Sequence, residues 1–137
     1  MEYEKSFSPE KKDVQKLRNL LLKYNNKNFE TTVHKNFAFY AKEAGNIIGG
    51  ITGDIFGQWL EIEYLVVDEQ HRGKGVGGKL LRMAEEEAQK NNCKYMFLFT
   101  FGFQGKTYYP RFGFKEVFSI RDYPITGTEH WFIKTLN

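Results

Sequence analysis

Apolar residues that recur at every third or fourth position predict two helices, over residues 9–24 and 76–91. The first helix follows Ser8 and opens on Pro9, which is typical of an N-cap with proline at the first helical position. The second helix follows a glycine-rich segment and turns its glutamates outward. The apolar positions are Val14, Leu17, Leu21 and Tyr24 in the first helix and Val76, Leu80, Ala84 and Ala88 in the second.

Apolar segments between turn residues predict a sheet of six to seven strands. The shortest candidate is a weak alternation at residues 3–7, and a short helix is expected over residues 105–112. The remaining strands are expected at residues 37–42, 47–56, 60–67, 94–101, 114–121 and 130–136. This order predicts an α/β (α+β) fold, in which a mixed, twisted sheet is flanked by helices. The strands on either side of the second helix are expected to run parallel.

Length and composition are those of a single domain over residues 1–137, with 41% apolar and 17% aromatic residues to build a core. No apolar run is long enough to span a membrane, and the charged N-terminus does not look like a secretory signal, so a cytoplasmic protein is expected. The single cysteine, Cys93, excludes an intramolecular disulfide, and no histidine has ligand spacing, so no metal site is expected. A net charge of +3 does not demand a nucleic-acid partner.

A glycine-rich turn at residues 70–79 lies between a predicted strand and a predicted helix, where bare backbone N–H groups suit a phosphate. The spacing Gly73-x-Gly75-x-x-Gly78 matches a dinucleotide fingerprint, but no acidic residue ends the next strand to bind a ribose. The same glycines with Lys79 match most of a P-loop, but Leu80 stands where a serine or threonine must bind magnesium. Both interpretations therefore carry a defect.

A third interpretation fits without a defect. The turn resembles the coenzyme A pyrophosphate loop of the GCN5-related N-acetyltransferase (GNAT) family, and residues 61–67 and 109–114 resemble that family's fourth strand and its late tyrosine-containing element. The loop matches in two registers, as Arg72-x-x-Gly75-x-Gly77 and as Gln70-x-x-Gly73-x-Gly75. The match is strong over residues 59–118 and rests on element order before them.

The resemblance implies acetyl-coenzyme A as co-substrate, bound in a V-shaped splay between the fourth and fifth strands. The family's asparagine for the pantetheine arm is replaced here by Gly102, and Gln104 and Thr100 are the candidates to stand in for it. The implied coenzyme-binding residues are Leu65, Val66, Val67, Gln70, His71, Arg72, Gly73, Lys74, Gly75, Val76, Gly77, Gly78, Gln104 and Tyr109.

Acetyl transfer needs a neutral amine, a polarised carbonyl and a stabilised leaving thiolate, but no protein nucleophile. The family's tyrosine that points at the coenzyme sulfur corresponds to Tyr109, so the resemblance implies an acid there. Glu61 and Glu63 share one face of their strand by its period of two, and either is a candidate base. Cys93, before a buried strand, is interpreted as a core residue.

The acceptor is expected to be a small cationic amine, because Glu61, Glu63, Asp122 and Glu129 are predicted to form an acidic mouth opposite the coenzyme. Tyr64, Tyr123 and Trp131 are expected to pack against it. A protein or peptide amine is the alternative acceptor. A coenzyme A-binding sensor without turnover is the alternative function, and a nucleic-acid binder is disfavoured by the mild charge. Dimers are common in the family, so a homodimer is one expected state.

Overall fold

The computed structural model describes all 137 residues, which divide into two compact units, Met1–Thr32 and Val33–Asn137. The helices are α1 (Lys11–Asn25), α2 (Val76–Lys90) and α3 (Gly102–Gly105). The strands are β1 (His34–Glu43), β2 (Asn46–Phe56), β3 (Trp59–Val67), β4 (Tyr95–Phe101), β5 (Lys115–Arg121) and β6 (Thr128–Thr135). Two 3-10 turns lie at Glu69–His71 and Tyr109–Phe112. No helix combines the length and the apolar character that crossing a bilayer would require.

The six strands form one mixed sheet in the order β1-β2-β3-β4-β6-β5. Neighbouring strands are antiparallel except β3 and β4, which run parallel. Parallel neighbours need a long crossover connection, and here it consists of the glycine-rich turn and α2. The predicted fold class and the predicted parallel pair are therefore both confirmed.

Helix α2 covers the sheet with the apolar stripe that its sequence periodicity predicts. Leu80, Ala84 and Ala88 are buried, and α2 packs against β1, β2, β3 and β4. Two ion pairs fix the helix at the sides: Lys134 Nζ donates to Glu85 Oε2 at 2.7 Å, and Lys35 Nζ donates to Glu87 Oε1 at 2.6 Å. The most deeply buried strand residues are Ile51, Leu60, Met96 and Phe132.

The first unit contains α1 and differs from the sequence prediction at its start. The helix begins after Glu10, not after Ser8, and residues 3–7 form no strand. Tyr3 and Phe7 are 91% and 95% exposed, so the weak alternation there has no neighbouring strand to supply hydrogen bonds and no core to bury its rings. The sheet accordingly has six strands, and the strand that resembles the family's fourth strand is β3. The single-domain interpretation stays a prediction.

The helix expected over residues 105–112 is split in two. The four-residue α3 ends at Gly105, and a separate 3-10 turn covers Tyr109–Phe112. Pro110 explains the break, because inside a longer helix it could not donate to the carbonyl one turn earlier, whereas it is tolerated at the start of a new turn. Gly113, at a φ of +88°, ends that turn. The other elements lie within three residues of their predicted ends.

Candidate active site

The principal cleft opens where the two parallel strands separate. β3 and β4 pair only over Trp59–Glu61 and Tyr95–Phe97. Beyond that point, residues 62–67 of β3 and 98–100 of β4 line opposite sides of a cavity of about 1030 Å³. Because β3 has no partner on this side, alternate backbone N–H groups of its second half face the cavity. The splay expected between these strands is therefore present.

An irregularity in β3 marks the same stretch. Thr52 of β2 pairs with Tyr64 and the next residue, Gly53, pairs with Ile62, so Glu63 has no partner on β2. Gly53 allows this close approach, since a Cβ there would collide with the Glu61 carbonyl oxygen and the Phe37 ring. The extra residue interrupts the alternation of β3, and Glu63 and Tyr64 are both exposed.

The glycine-rich turn forms one end of the cleft and opens helix α2. Gly73 and Gly75 have φ values of +77° and +80°, a region that L-residues with side chains rarely adopt. Apart from each glycine and its two chain neighbours, no residue has an atom within 4 Å of where their Cβ atoms would be, so the backbone there is open to a ligand. The first N–H groups of α2 follow directly, and they are the partially positive end of the helix dipole. Bare backbone at a helix N-terminus suits a diphosphate.

Two predicted coenzyme-binding residues also hold the turn in place. The ring of His71 lies between two carboxylates, with Nε2 at 2.6 Å from Glu43 Oε2 and Nδ1 at 3.3 Å from Asp68 Oδ2. Arg72 Nε donates to the Val67 carbonyl oxygen at 3.0 Å. Their side chains therefore tie the turn to β1 and to the end of β3.

Most of the residues predicted to bind coenzyme or substrate are brought together in this cleft. Gln70 and Lys74 lie on exposed parts of the turn and do not line it, and Glu61 lines a second cavity instead. The predicted residues that do line the cleft are Glu63, Tyr64, Leu65, Val66, Val67, His71, Arg72, Gly73, Gly75, Val76, Gly77, Gly78, Thr100, Gln104 and Tyr109.

Two cleft cations were missed by the sequence analysis. Arg82 lies one turn after Gly78 on α2, and one of its guanidinium nitrogens would be 3.5 Å from a Cβ at Gly78. The Arg111 guanidinium lies 5.0 Å above the centre of the Tyr108 ring. Helical spacing from the turn could have pointed to Arg82, whereas Arg111 reaches the cleft only through the fold of the 3-10 turn.

The neighbouring tyrosines Tyr108 and Tyr109 lie edge to face, with ring centres 5.3 Å apart. Tyr109 is 9% exposed, and its ring contacts the rings of Phe114 and Phe132. Burial, with a smaller contribution from Tyr108, raises the pKa of Tyr109 to about 12. Burial also raises the pKa of Tyr108, although Arg111 and Arg82 oppose the shift. Both hydroxyls are therefore protonated at neutral pH, and both residues line the cleft.

The two candidates to replace the missing asparagine lie side by side. Gln104 Oε1 accepts a hydrogen bond from the Phe101 N–H at 3.2 Å and lies 3.5 Å from Thr100 Oγ1. Both residues line the cleft. Gly102 itself faces the ring of His130, whose Nδ1 bonds to Glu116. These contacts use the Gln104 amide oxygen and leave its amide nitrogen free to donate a hydrogen bond to a ligand.

A second cavity, of about 510 Å³, contains Glu61. Asp54 lies directly opposite Glu61 on the neighbouring strand β2, and His34 Nδ1 donates to Asp54 Oδ2 at 2.6 Å. Burial raises the pKa of Glu61, and the charges of Asp54 and then Glu63 raise it further. The aromatic and aliphatic walls of this cavity are Phe56, Trp59, Phe97, Val117, Phe118, Trp131, Phe132 and Ile133.

The four acidic residues predicted to form one mouth are not all brought together. Glu129 is buried and accepts a hydrogen bond from Trp131 Nε1 at 2.9 Å, and neither it nor Asp122 lines either cavity. Asp54, which the sequence analysis missed, lies beside Glu61. The hydrophobic pattern does not single out Asp54 as a site residue. Only the register of the β1–β2 and β2–β3 pairs shows that it lies beside His34 and Glu61.

Cys93 lies in the core as a free, buried thiol, and burial raises its pKa. A raised pKa disfavours the nucleophilic thiolate. No group of three or more histidine, cysteine, aspartate or glutamate side chains is arranged to hold a metal ion.

Comparison with known proteins gives consistent matches. Residues 2–114 match the acetyltransferase (GNAT) family. Blasticidin-S acetyltransferase of Streptomyces morookaense is 37% identical over 102 residues, which cover 73% of this chain and 75% of that protein. Acetyltransferase Atu2258 of Agrobacterium fabrum is 32% identical over 105 residues, covering 76% and 77%. The crystal structure of an acetyltransferase from Bacillus cereus superposes with a TM-score of 0.85 at 28% identity, covering 97% of this chain and 98% of that one.

Proposed function

Because the chain belongs to the acetyltransferase (GNAT) family, we propose that it moves the acetyl group of acetyl-coenzyme A to a primary amine of a small cationic molecule. The observation that carries the proposal is the glycine-rich turn, which opens α2 at the end of a cleft formed by two splayed parallel strands. The amine attacks directly in a ternary complex, so that no acetyl-enzyme forms.

The coenzyme is proposed to lie along the cleft with its pyrophosphate on the N–H groups of residues 72–78. Gly73 and Gly75 leave that backbone uncovered, and Arg82 and Arg111 supply positive charge beside it. The pantetheine arm then follows the unpaired edge of β3, whose free N–H groups near residues 65–67 polarise the thioester carbonyl. The amide nitrogen of Gln104 is proposed to bind the arm from the opposite side.

In the proposed reaction, the amine nitrogen bonds to the thioester carbonyl carbon, the carbon–sulfur bond breaks, and the products are an N-acetyl amine and the coenzyme A thiol. One proton leaves the nitrogen and one proton arrives at the sulfur. The residues of this chain therefore need to orient two substrates and handle two protons. Cys93 takes no part, since it is buried in the core.

Glu61 is proposed as the base that receives the amine proton. Its raised pKa makes it a better proton acceptor than an ordinary glutamate. Glu63 lines the main cleft two residues further along β3 and is the alternative base. A carboxylate at either position attracts the ammonium form of the acceptor.

Tyr109 is proposed to donate a hydrogen bond to the departing sulfur. Complete proton transfer from a phenol with a pKa of about 12 to a thiolate of ordinary pKa, ~8.5, would cost roughly 5 kcal/mol. The raised pKa instead keeps the hydroxyl protonated at every physiological pH, so a hydrogen bond to the developing thiolate is always available. The final proton on sulfur then comes from solvent.

The acceptor is proposed to be a cationic metabolite or an antibiotic-like amine. The name of the Streptomyces morookaense relative supports this class, because it acetylates the antibiotic blasticidin S. The carboxylates of Asp54 and Glu61 support it independently, since they give the second cavity a negative charge in a protein with a net charge of +3.

Initial-rate kinetics with a panel of amines test this proposal. Release of the coenzyme A thiol should depend on both the amine and acetyl-coenzyme A, and reciprocal plots should intersect, as direct attack requires. The Cys93→Ala variant should retain the wild-type rate. Parallel plots, or loss of activity in a folded Cys93→Ala variant, would show a covalent acetyl-enzyme and refute direct attack.

A further inference from the structure

The second cavity combines two carboxylates with aromatic walls. Its volume of about 510 Å³ is within the range of small-molecule sites. Trp59, Phe97, Phe118 and Trp131 line it, and their rings support one another, with the Phe118 and Trp131 rings stacked at 5.3 Å and the Trp59 and Phe97 rings edge to face at 5.4 Å. Aromatic faces attract cations as carboxylates do, so both kinds of wall favour the same ligand.

The two carboxylates repel each other in the absence of a cation. Asp54 and Glu61 are direct partners across antiparallel strands, a position in which like charges are destabilising. The charge of Asp54 contributes to the raised pKa of Glu61. A positive charge bound beside Asp54 would offset this repulsion.

Asp54 has one carboxylate oxygen in a hydrogen bond and one without a partner. Its Oδ2 accepts from His34 Nδ1 at 2.6 Å, and the His34 ring stacks on Phe56 at 4.0 Å with an interplanar angle of 8°. Its Oδ1 is buried and has no hydrogen-bond partner. An unpaired buried carboxylate oxygen is costly, and a positive charge beside the Asp54 side chain, which is 28% exposed, would stabilise the ionised carboxylate.

We propose that the second cavity binds a second cationic group of the acceptor, separate from the nitrogen that is acetylated, and that Asp54 selects acceptors carrying that group. The inference rests on the proposed function for the identity of the ligand as the acceptor. In the proposed function Glu61 takes a proton from the reacting nitrogen, which must lose its charge before it attacks. Asp54 needs a cation that keeps its charge, so the favoured acceptors carry an amine together with an ammonium or guanidinium group.

Tryptophan fluorescence tests the cation site without any catalysis. Trp59 and Trp131 are the only tryptophans in the chain, and both line this cavity, so the whole signal reports on it. The probe is ethylguanidinium, and its matched neutral control is N-ethylurea, which has a similar shape but no charge. We expect the cation to bind at least about tenfold more tightly than the urea. Equal affinities, or no fluorescence change with the cation, would overturn the proposal.

Asp54→Asn keeps the shape of the side chain and removes its charge. We expect it to weaken ethylguanidinium binding about tenfold while leaving the weak urea binding unchanged. The matched control, Glu86→Gln, removes one exposed carboxylate on α2 and should leave ethylguanidinium binding as in wild type. Unchanged cation binding in a folded Asp54→Asn variant would contradict a role for Asp54. Even if this variant does not fold, the affinities of the wild-type protein for the two probes decide whether the cavity binds cations.

Two matched acceptors test whether the second cavity determines which acceptors are used. 4-Aminobutylguanidine and 4-aminobutylurea carry the same primary amine and differ only in the second charge. We expect kcat/KM to be about tenfold higher for the guanidine, with the ratio falling towards one in Asp54→Asn. If neither compound releases thiol but ethylguanidinium still binds selectively, the proposed function fails and the cation site stands. If both are acetylated equally well, the function stands and the selection proposed for Asp54 fails.

Discussion

Tyr109 is buried against Phe114 and Phe132, and its hydroxyl is the only part that distinguishes it from a core phenylalanine. We expect Tyr109→Phe to lower kcat by about 10²-fold, the usual loss for one hydrogen bond to a developing negative charge. The affinity for coenzyme A should change little, because the hydroxyl acts on the leaving thiolate. Steady-state rates and calorimetric titration measure the two effects separately.

The control is Tyr108→Phe. The Tyr108 hydroxyl lies beside Gly77 at the start of α2, so this change should leave kcat close to wild type. If Tyr109→Phe turned over as fast as wild type while Tyr108→Phe did not, the hydroxyl that assists the leaving group would belong to Tyr108.

The pH dependence of the reaction should report on Glu61. Activity requires the ionised carboxylate, so the rate should fall as the pH drops through a pKa that lies above that of an ordinary glutamate. Removing the Asp54 charge removes one cause of the raised pKa of Glu61, while His34 and Glu63 stay unchanged. Asp54→Asn should therefore move the acidic limb of the kcat/KM profile to lower pH. A limb that stays in place, or moves to higher pH, would exclude Glu61 as the titrating base.

At the scale of single residues, the sequence showed which side chains could do chemistry but not which of them meet. Tyr109 and the two glutamates of β3 were predicted because they fall within recognisable motifs. The pair of His34 and Asp54 could not be predicted, since 20 residues separate them and only the β1–β2 register brings them together. The burial of Glu129 and its hydrogen bond with Trp131 could not be predicted, because both depend on how the closing hairpin folds.

Among the elements, the turn before α2 gives the sharpest test. Gly75 and Gly45 both have a φ of +80° and open space around the Cβ position, but only Gly75 lines the cleft. Alanine at either site should therefore destabilise the fold by a similar amount, about 1–2 kcal/mol. Only Gly75→Ala should also weaken coenzyme A binding, because its methyl group occupies the approach of the pyrophosphate.

Thermal unfolding measures the loss of stability that the two variants are expected to share. Calorimetry measures the affinity of each variant for coenzyme A. Equal coenzyme affinity in the Gly75→Ala and Gly45→Ala variants would mean that the pyrophosphate does not lie on this turn.

The elements themselves were largely predictable, because helix α2 and strands β1 to β6 each carry a clear period or an apolar run. The exceptions have local causes. The unpaired Glu63 depends on Gly53 of the neighbouring strand, a long-range contact that no period in β3 reveals. The break before the 3-10 turn at Tyr109–Phe112 could have been inferred from Pro110, which disfavours a helix interior.

For the whole molecule, binding and folding are linked. Acetyl-coenzyme A that binds only the folded state should stabilise it by about 2.7 kcal/mol at a concentration 100 times its dissociation constant. Differential scanning calorimetry should show a midpoint that rises steadily with coenzyme concentration in wild type and much less in Gly75→Ala. An identical rise in both proteins would place the coenzyme elsewhere on the molecule.

The central claim is that this chain joins an acetyl group from acetyl-coenzyme A to the nitrogen of a cationic amine. The most direct measurement is mass spectrometry of a cationic amine panel after incubation with acetyl-coenzyme A labelled with carbon-13 in the acetyl group, together with a count of the thiol released. We expect at least one amine to gain a labelled acetyl group, with one thiol released for each acetyl transferred. Binding of acetyl-coenzyme A without labelled product from any amine would contradict the account and indicate a coenzyme A-binding protein without turnover.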